Sequence, residues 1–337
     1  MAGLFRLLKM QYTPPTDPRG ISLAGKTVLL TGATSGLGYE AAIKYLNLGV
    51  DSLVIGSRSL ERGNRTKTEL EKITNRPGVI RVWELEMTSF ESVKSFASRV
   101  SKELPKLDIA LLNAGLWNRE YSQSPEGWEE TIQVNTLSTS LLALLLLPKL
   151  RESSSSSDPS HLSVVSSQQF VRAKAESLQA AGSLLEHLNS PDRFQGPKQY
   201  GVSKLLLEYL MKIIANGVRQ DDGTLPIIVN TISPGLCRSS LGRQYNRFYE
   251  RWVVWVAYML FARTTEQGSR SLVSGTLQGA ESQGRCWRSD GYLDESQALT
   301  TAPEGRQFQT QTWTEIMELL EKQSSEIQHI ISEIRLA

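Results

Sequence analysis

Cysteine is nearly absent from this 337-residue chain, with Cys237 and Cys286 the only two. That excludes a disulfide framework and any cysteine-based metal-ligand spacing, and it fits a reducing compartment. Histidine is almost as scarce. His161, His187 and His329 are scattered, so each reads as a surface or packed residue, and no metal site is expected. Neither sign of charge dominates: the formal net charge is +2 and no basic run stands out, which argues against a nucleic-acid surface. No apolar run reaches the ~20 residues of a transmembrane span. Leu141 to Leu147 stops at Pro148 and reads as a buried helix end, while Trp252 to Ala262 has about half the required length. The opening MAGLFRLLKM is too short and too interrupted by charge for a signal peptide. It reads as a weakly ordered arm, ahead of an amphipathic helix touching lipid. The expected location is cytoplasmic, with contact to a membrane surface left open.

What the chain does have is an even alternation of short apolar runs and helical patterns. Apolar residues make up 40% and charged residues 21%, ordinary for a globular chain with a real core. The predicted fold is α/β, a single doubly wound parallel sheet with helices on both faces. Its first strand, Thr27 to Leu30, is apolar without alternation, as in a sheet covered on both sides. That strand runs into Gly32, Gly36 and Gly38 and then into a helical pattern. Such a turn lets backbone N–H groups and the helix dipole meet a pyrophosphate with no Cβ in the way.

A second strand, Ser52 to Ile55, leads into Gly56-Ser57-Arg58. Ser57 lies nineteen positions after Gly38, close to where an acidic residue would hold the adenosine ribose hydroxyls. Ser followed by Arg58, with Arg62 one helical turn on, favours a 2′-phosphate and therefore NADP(H) over NAD(H). A third strand, Val79 to Met87, ends near Glu86, which reads either as an acceptor for the adenine amino group or as a solvated strand end. Thr88 reads as the cap of the next helix, with Glu91 completing a capping box. The fourth strand delivers Asn113-Ala114-Gly115, small enough for the backbone to pass close to a nicotinamide ribose. Asn135 lies in the apolar half of a long helix, where its amide needs a partner.

Tyr200 and Lys204 are four apart on one predicted helix and share a face. A phenol with a pKa of about 10 is a poor acid or base at neutral pH. An ammonium about 4 Å away, at an effective dielectric of about 20, is worth roughly 4 kcal/mol, or roughly three pKa units. The pairing therefore predicts a phenol tuned into working range. Ser167, at the carboxyl end of the fifth strand, lies where open α/β sheets bind ligands and would hold the reacting oxygen.

Taken in order, TGATSGLG (Thr31 to Gly38), LNAG (Leu112 to Gly115), VN (Val134, Asn135), VSS (Val165 to Ser167), YGVSK (Tyr200 to Lys204) and SPG (Ser233 to Gly235) resemble the short-chain dehydrogenase/reductase family. The resemblance runs from Lys26 to about Leu293. It is strongest to the retinol-dehydrogenase-like branch, and in particular to fungal members, many of them in secondary-metabolite pathways. It implies Tyr200 as catalytic acid/base, Lys204 lowering its pKa and binding the nicotinamide ribose, and Ser167 orienting the carbonyl or carbinol. It further implies that Asn135 holds a relay water and that Gly32, Ser35, Gly36 and Leu37 line the pyrophosphate. Asn113 would lie beside the adenosine-side ribose, and Ser239 stands where the family often has Thr. Three features depart from the family pattern: Glu86 for the usual Asp, Gln168-Gln169 after Ser167, and a separation of 33 positions between Ser167 and Tyr200.

The expected organisation is an arm over 1–24, a catalytic domain over 25–300 and a helical extension over 301–337. The catalytic domain would include an insertion over 168–199 and a substrate-side segment over 236–262. In that segment Trp252, Trp255, Tyr258 and Phe261 form an apolar stripe, read first as core packing, then as a lid or membrane contact. The expected activity is interconversion of a carbonyl and an alcohol on a small hydrophobic molecule with NADP(H). The rival readings are an NADP(H)-sensing regulator without turnover and a related epimerase or dehydratase. A homo-oligomer is common in the resembled family, although the insertion and the terminal helix could block or extend such contacts.

Overall fold

A computed structural model describes residues 13–155, 157–238 and 262–334. Residues 1–12 of the expected arm, Ser239 and the aromatic stripe Trp252, Trp255, Tyr258 and Phe261 lie outside the described residues. Among those described, one eight-stranded sheet has the order β3-β2-β1-β4-β5-β6-β7-β8. The strands are β1 (Thr27–Thr31), β2 (Ser52–Ser57), β3 (Ile80–Glu84), β4 (Ile109–Leu112), β5 (Ser160–Val165), β6 (Ile227–Ile232), β7 (Cys286–Arg288) and β8 (Gly291–Tyr292). All pairs are parallel except β7–β8, a short antiparallel edge. The order reverses between β1 and β4, and the crevice above that switch point is where such sheets take ligands.

Burial explains the sequence of the central strands. Val28, Leu29 and Leu30 are all fully buried because helices cover both faces. On one face lie α1 (Gly36–Asn47), α2 (Leu60–Thr74) and α7 (Thr265–Gly275), packing Tyr45, Leu70 and Leu272. The other carries α3 (Phe90–Glu103), the long helix α4 (Glu130–Ser153) and α6 (Gly196–Gly217), packing Phe96, Leu144 and Leu206. Helix α4 is long and apolar enough to cross a membrane, but 94% of its apolar window is buried inside the fold. It contains a π-helical turn over Gln133–Ser138.

Several local expectations are corrected. Pro148 lies inside α4, which runs on to Ser153. A proline costs a helix about 3 kcal/mol. Full burial of Leu141, Leu142, Leu144 and Leu146, at roughly 1.5–3 kcal/mol each, outweighs it. Ser89, not Thr88, caps α3: its hydroxyl accepts from Ser92 N, while Thr88 N donates to Glu86 Oε1. Glu91 pairs with Lys94 at 2.7 Å instead of closing a capping box. Strand β3 ends at Glu84, two residues before Glu86.

The 168–199 stretch is compact. It forms a 3₁₀ turn (Gln168–Arg172), two shorter 3₁₀ turns and α5 (Leu184–Leu188), with Phe170, Leu178 and Leu184 in the core. Gln199 Nε2 ties it down, donating to Leu188 O at 2.8 Å and Glu129 Oε2 at 3.1 Å. The single terminal helix is instead two, α8 (Gly305–Gln323) and α9 (Glu326–Glu333). Both are packed, burying Phe308, Trp313, Ile316, Leu320 and Ile327 in the same core as α4 and α6.

Candidate active site

A cavity of about 370 Å³ opens at the carboxyl ends of the central strands. Its floor is the turn after β1. Gly36 has φ +60, in the left-handed region, and a Cβ there would meet no atom within 4 Å, so the backbone faces open space. Gly38 is constrained from the other side: a Cβ would lie 2.3 Å from Gly32 O and 2.6 Å from Asn113 Nδ2. Ser35 caps α1 without any side-chain hydrogen bond, and the first turn carries no acidic residue. The donors of that helix end are thus left for another acceptor, whereas α2, α3 and α7 are capped by Ser59, Ser89 and Thr264. Bare donors, a positive dipole end and room for backbone approach fit a pyrophosphate.

Gly32, Ser35, Gly36, Leu37, Gly38, Asn113 and Ala114 all line this cavity. Asn113 does so as a brace: its Nδ2 donates to Thr31 O at 2.9 Å and Gly32 O at 3.2 Å. The backbone N–H groups of Asn113 and Ala114 both donate to Thr31 Oγ1 at 2.9 Å. These bonds lock the end of β4 to the glycine turn. Arg58 and Arg62 lie along the rim with Glu86. Arg58 Nε is 3.8 Å from Glu86 Oε2, and Glu86 Oε1 accepts from Thr88 N at 3.0 Å. Glu86 therefore holds both the loop after β3 and, loosely, the guanidinium.

The opposite end is built from side chains. Helix α6 begins at Gly196, with Pro197 in its first turn, so Tyr200 and Lys204 stand one and two turns inside it. Tyr200 and Lys204 line the cavity with Ser167. Lys204 Nζ donates to Val165 O at 2.8 Å, two residues from Ser167. Ser167 Oγ accepts from Gln169 N at 3.3 Å, and Ser233 Oγ accepts from Gln168 N at 3.1 Å. The 3₁₀ turn thereby fixes the serine. Trp117 stacks on Tyr200 with centroids 5.3 Å apart and planes at 22°.

Asn135 lies behind the wall, fully buried. Its Oδ1 accepts from Leu116 N at 2.9 Å; its Nδ2 donates to Leu116 O at 2.8 Å and Ser203 Oγ at 3.1 Å. The amide is occupied by this brace, which ties Leu116 to α6.

The electrostatics also differ from expectation. Burial pushes the Tyr200 phenol up to about 12, with a hydrogen bond to Ser167 pulling the other way. Burial pulls Lys204 down to about 8, opposed by the Glu208 carboxylate. Burial of the phenol outweighs the Ser167 hydrogen bond, and the Lys204 ammonium is directed at Val165 O. The phenol here is held protonated. Trp117 and Glu208 escaped the sequence reading. The signal for Glu208 was available: it repeats the four-residue step from Lys204, inside the apolar run LLLEYL.

Comparison with known proteins agrees with this architecture. The short chain dehydrogenase family profile matches residues 26–171. The chain is 40% identical to the short-chain dehydrogenase/reductase ffsI of Aspergillus flavipes over 95% of its own length and 93% of that protein. It is also 40% identical to the short-chain dehydrogenase/reductase phmF of Phaeosphaeria nodorum, over 96% and 95% of the two chains. Among solved structures, the Pseudomonas aeruginosa RhlG/NADP active-site complex superposes with a TM-score of 0.61 and 25% identity, covering 80% of this chain and 96% of that one. Matched along nearly its whole length by relatives of that kind, the chain belongs to the short-chain dehydrogenase/reductase family.

Proposed function

We propose that the protein is an NADP(H)-dependent oxidoreductase that interconverts a carbonyl and an alcohol on a small hydrophobic molecule, in a fungal secondary-metabolite pathway. Family membership makes it an oxidoreductase working with a nicotinamide cofactor. What supports the finer reading is one observation: Ser167, Tyr200 and Lys204 share a cavity with an uncapped, glycine-lined helix end.

The bound nicotinamide supplies or accepts the hydride. The chain supplies the rest. Gly32, Ser35, Gly36, Leu37 and Gly38 receive the pyrophosphate, while Ala114 and Lys204 flank the nicotinamide-side ribose. Arg58 and Arg62 grip the 2′-phosphate, in keeping with the NADP of the RhlG complex. Ser167 Oγ donates to the substrate oxygen, and the protonated Tyr200 phenol delivers a proton to it as the carbonyl is reduced. Lys204, fixed by Val165 O, places a positive charge beside the oxygen that gains electron density. Asn135 is a positioning residue that holds the Leu116 backbone against α6. Leu116 and Trp117 give the substrate side an apolar wall.

The test is a panel of hydrophobic ketones and aldehydes followed by NADPH absorbance, with Tyr200→Phe alongside. Removing the phenolic proton donor is expected to lower kcat by about 10²–10⁴-fold while NADPH still binds. Unchanged turnover would remove Tyr200 from its role. NADPH binding with no wild-type turnover on the whole panel would favour the sensor reading.

A further inference from the structure

The face of α6 that carries Tyr200 and Lys204 continues at the same four-residue step to Glu208 and Lys212. Glu208 is 1% exposed, and an acidic residue so deep needs a reason. Thr231 Oγ1, from β6, donates to its Oε2 at 3.0 Å, while Oε1 has no hydrogen-bond donor among the described residues. Every ionisable group around it can be named: Lys204 and Lys212 from α6, Cys286 from β7 and Glu295 from the loop after β8. The Ser166 hydroxyl faces it from β5. Lys212 is engaged at the far end, 3.0 Å from Glu295 Oε2 and 3.0 Å from Gly284 O. The inner end belongs to Lys204, which among the described residues donates to a neutral carbonyl, Val165 O.

We propose that Glu208 is a positioning residue for the reaction: from one turn behind Lys204 its carboxylate keeps the buried ammonium charged, without touching substrate or cofactor. This rests on the oxidoreductase reading above. Burial drives the two groups toward neutrality from opposite sides, Glu208 up to about 7 and Lys204 down to about 8. The Glu208 carboxylate opposes the shift of Lys204, and Lys212 opposes that of Glu208. Cys286 stays a neutral thiol, held up by burial and by Glu208 itself. Glu295 repels the Glu208 carboxylate and Lys212 attracts it, so the outer pair sets how much charge reaches Lys204.

The experiment is the pH dependence of kcat/KM for carbonyl reduction, read at the alkaline limb where Lys204 loses its proton. Glu208→Gln preserves size and can still accept from Thr231, but it deletes the charge. The limb is expected to move to lower pH by about one unit. Glu208→Asp should restore part of the shift. Glu295→Gln removes the repulsion, leaves more carboxylate at Glu208, and should move the limb the opposite way by a smaller amount. A purely structural role gives no such pair of opposite signs. An unmoved limb in Glu208→Gln overturns the proposal whatever happens to kcat or Tm; if that variant fails to fold, an unmoved limb in Glu295→Gln does the same. Should no carbonyl be turned over, the oxidoreductase reading fails separately. Infrared titration of the ligand-free protein then decides the matter. The protonated Glu208 carboxyl band should persist to higher pH in Lys204→Met than in wild type, and a band titrating identically in both would uncouple the two groups.

Discussion

The two ends of the cavity are made from different materials. The phosphate end is backbone: a glycine turn, the bare donors of α1, and the Asn113 brace that holds β4 against β1. The chemical end is side chain: a phenol and an ammonium, 7% and 4% exposed, each moved by burial from its ordinary pKa. Backbone donors do not titrate, and their geometry is set by what cannot fit. Buried ionisable groups depend on every neighbouring charge. One end should therefore fail sterically and the other electrostatically.

The sharpest break of that contrast is Gly38→Ala. Its methyl would lie 2.3 Å from Gly32 O and 2.6 Å from the Asn113 amide. Overpacking costs typically about 1–3 kcal/mol, here applied directly to the turn that receives the anion. NADPH affinity measured by fluorescence should drop more than 100-fold at every pH, alongside a lowered Tm. Affinity within about threefold of wild type would show that the turn can yield.

At the other end the variable is protons. With the phenol up at about 12, carbonyl reduction should be flat from about pH 6 to about pH 7, below the Lys204 limb, because the required acid is already protonated. Alcohol oxidation needs the phenolate and should rise by up to about tenfold per unit over the same range. Initial rates in both directions check this. An oxidation rate equally flat would mean that the working phenol ionises below neutrality.

Arg58 joins the two materials, a side-chain charge at the backbone end. Arg58→Asp should weaken NADPH binding by about 10–100-fold and NADH binding much less, since a charge-assisted bond is worth roughly 1.5–3 kcal/mol. Equal losses for both cofactors would remove Arg58 from 2′-phosphate recognition. The smallest effect is expected from Ser89→Ala, which deletes the cap of α3 remote from the chemistry. It should cost about 1 kcal/mol in a denaturant melt and leave both cofactor affinities unchanged.

The order of these residues along the chain was legible because each is tied to a strand end or a helix step. The glycine turn follows a strand with the apolar centre Val28-Leu29-Leu30, and Tyr200–Lys204 is a helix spacing. Four things were not legible. The cap at Ser89 was decided by a local turn in which Glu86 accepts from Thr88 N, and the helix through Pro148 by leucine burial. The occupied amide of Asn135 depends on Leu116, nineteen residues away and in no motif. The raised Tyr200 pKa could not come from pairwise spacing, because spacing suggests a Coulomb attraction and says nothing of the burial that raises the phenol.

The C-terminal helices carry a practical consequence. Glu315 on α8 accepts from Ser183 Oγ, Leu184 N and Leu185 N at 2.7–2.9 Å, clasping the start of α5. Arg151 on α4 meets Glu333 on α9 at 2.7 Å. Beneath these clasps Trp313, Ile316, Leu320 and Ile327 shield leucines of the central bundle from water. At roughly 1.5–3 kcal/mol apiece, those four side chains alone approach the whole stability of an ordinary domain. A dehydrogenase trimmed to its nucleotide-binding half would thus leave a greasy wound where this protein has a sealed seam.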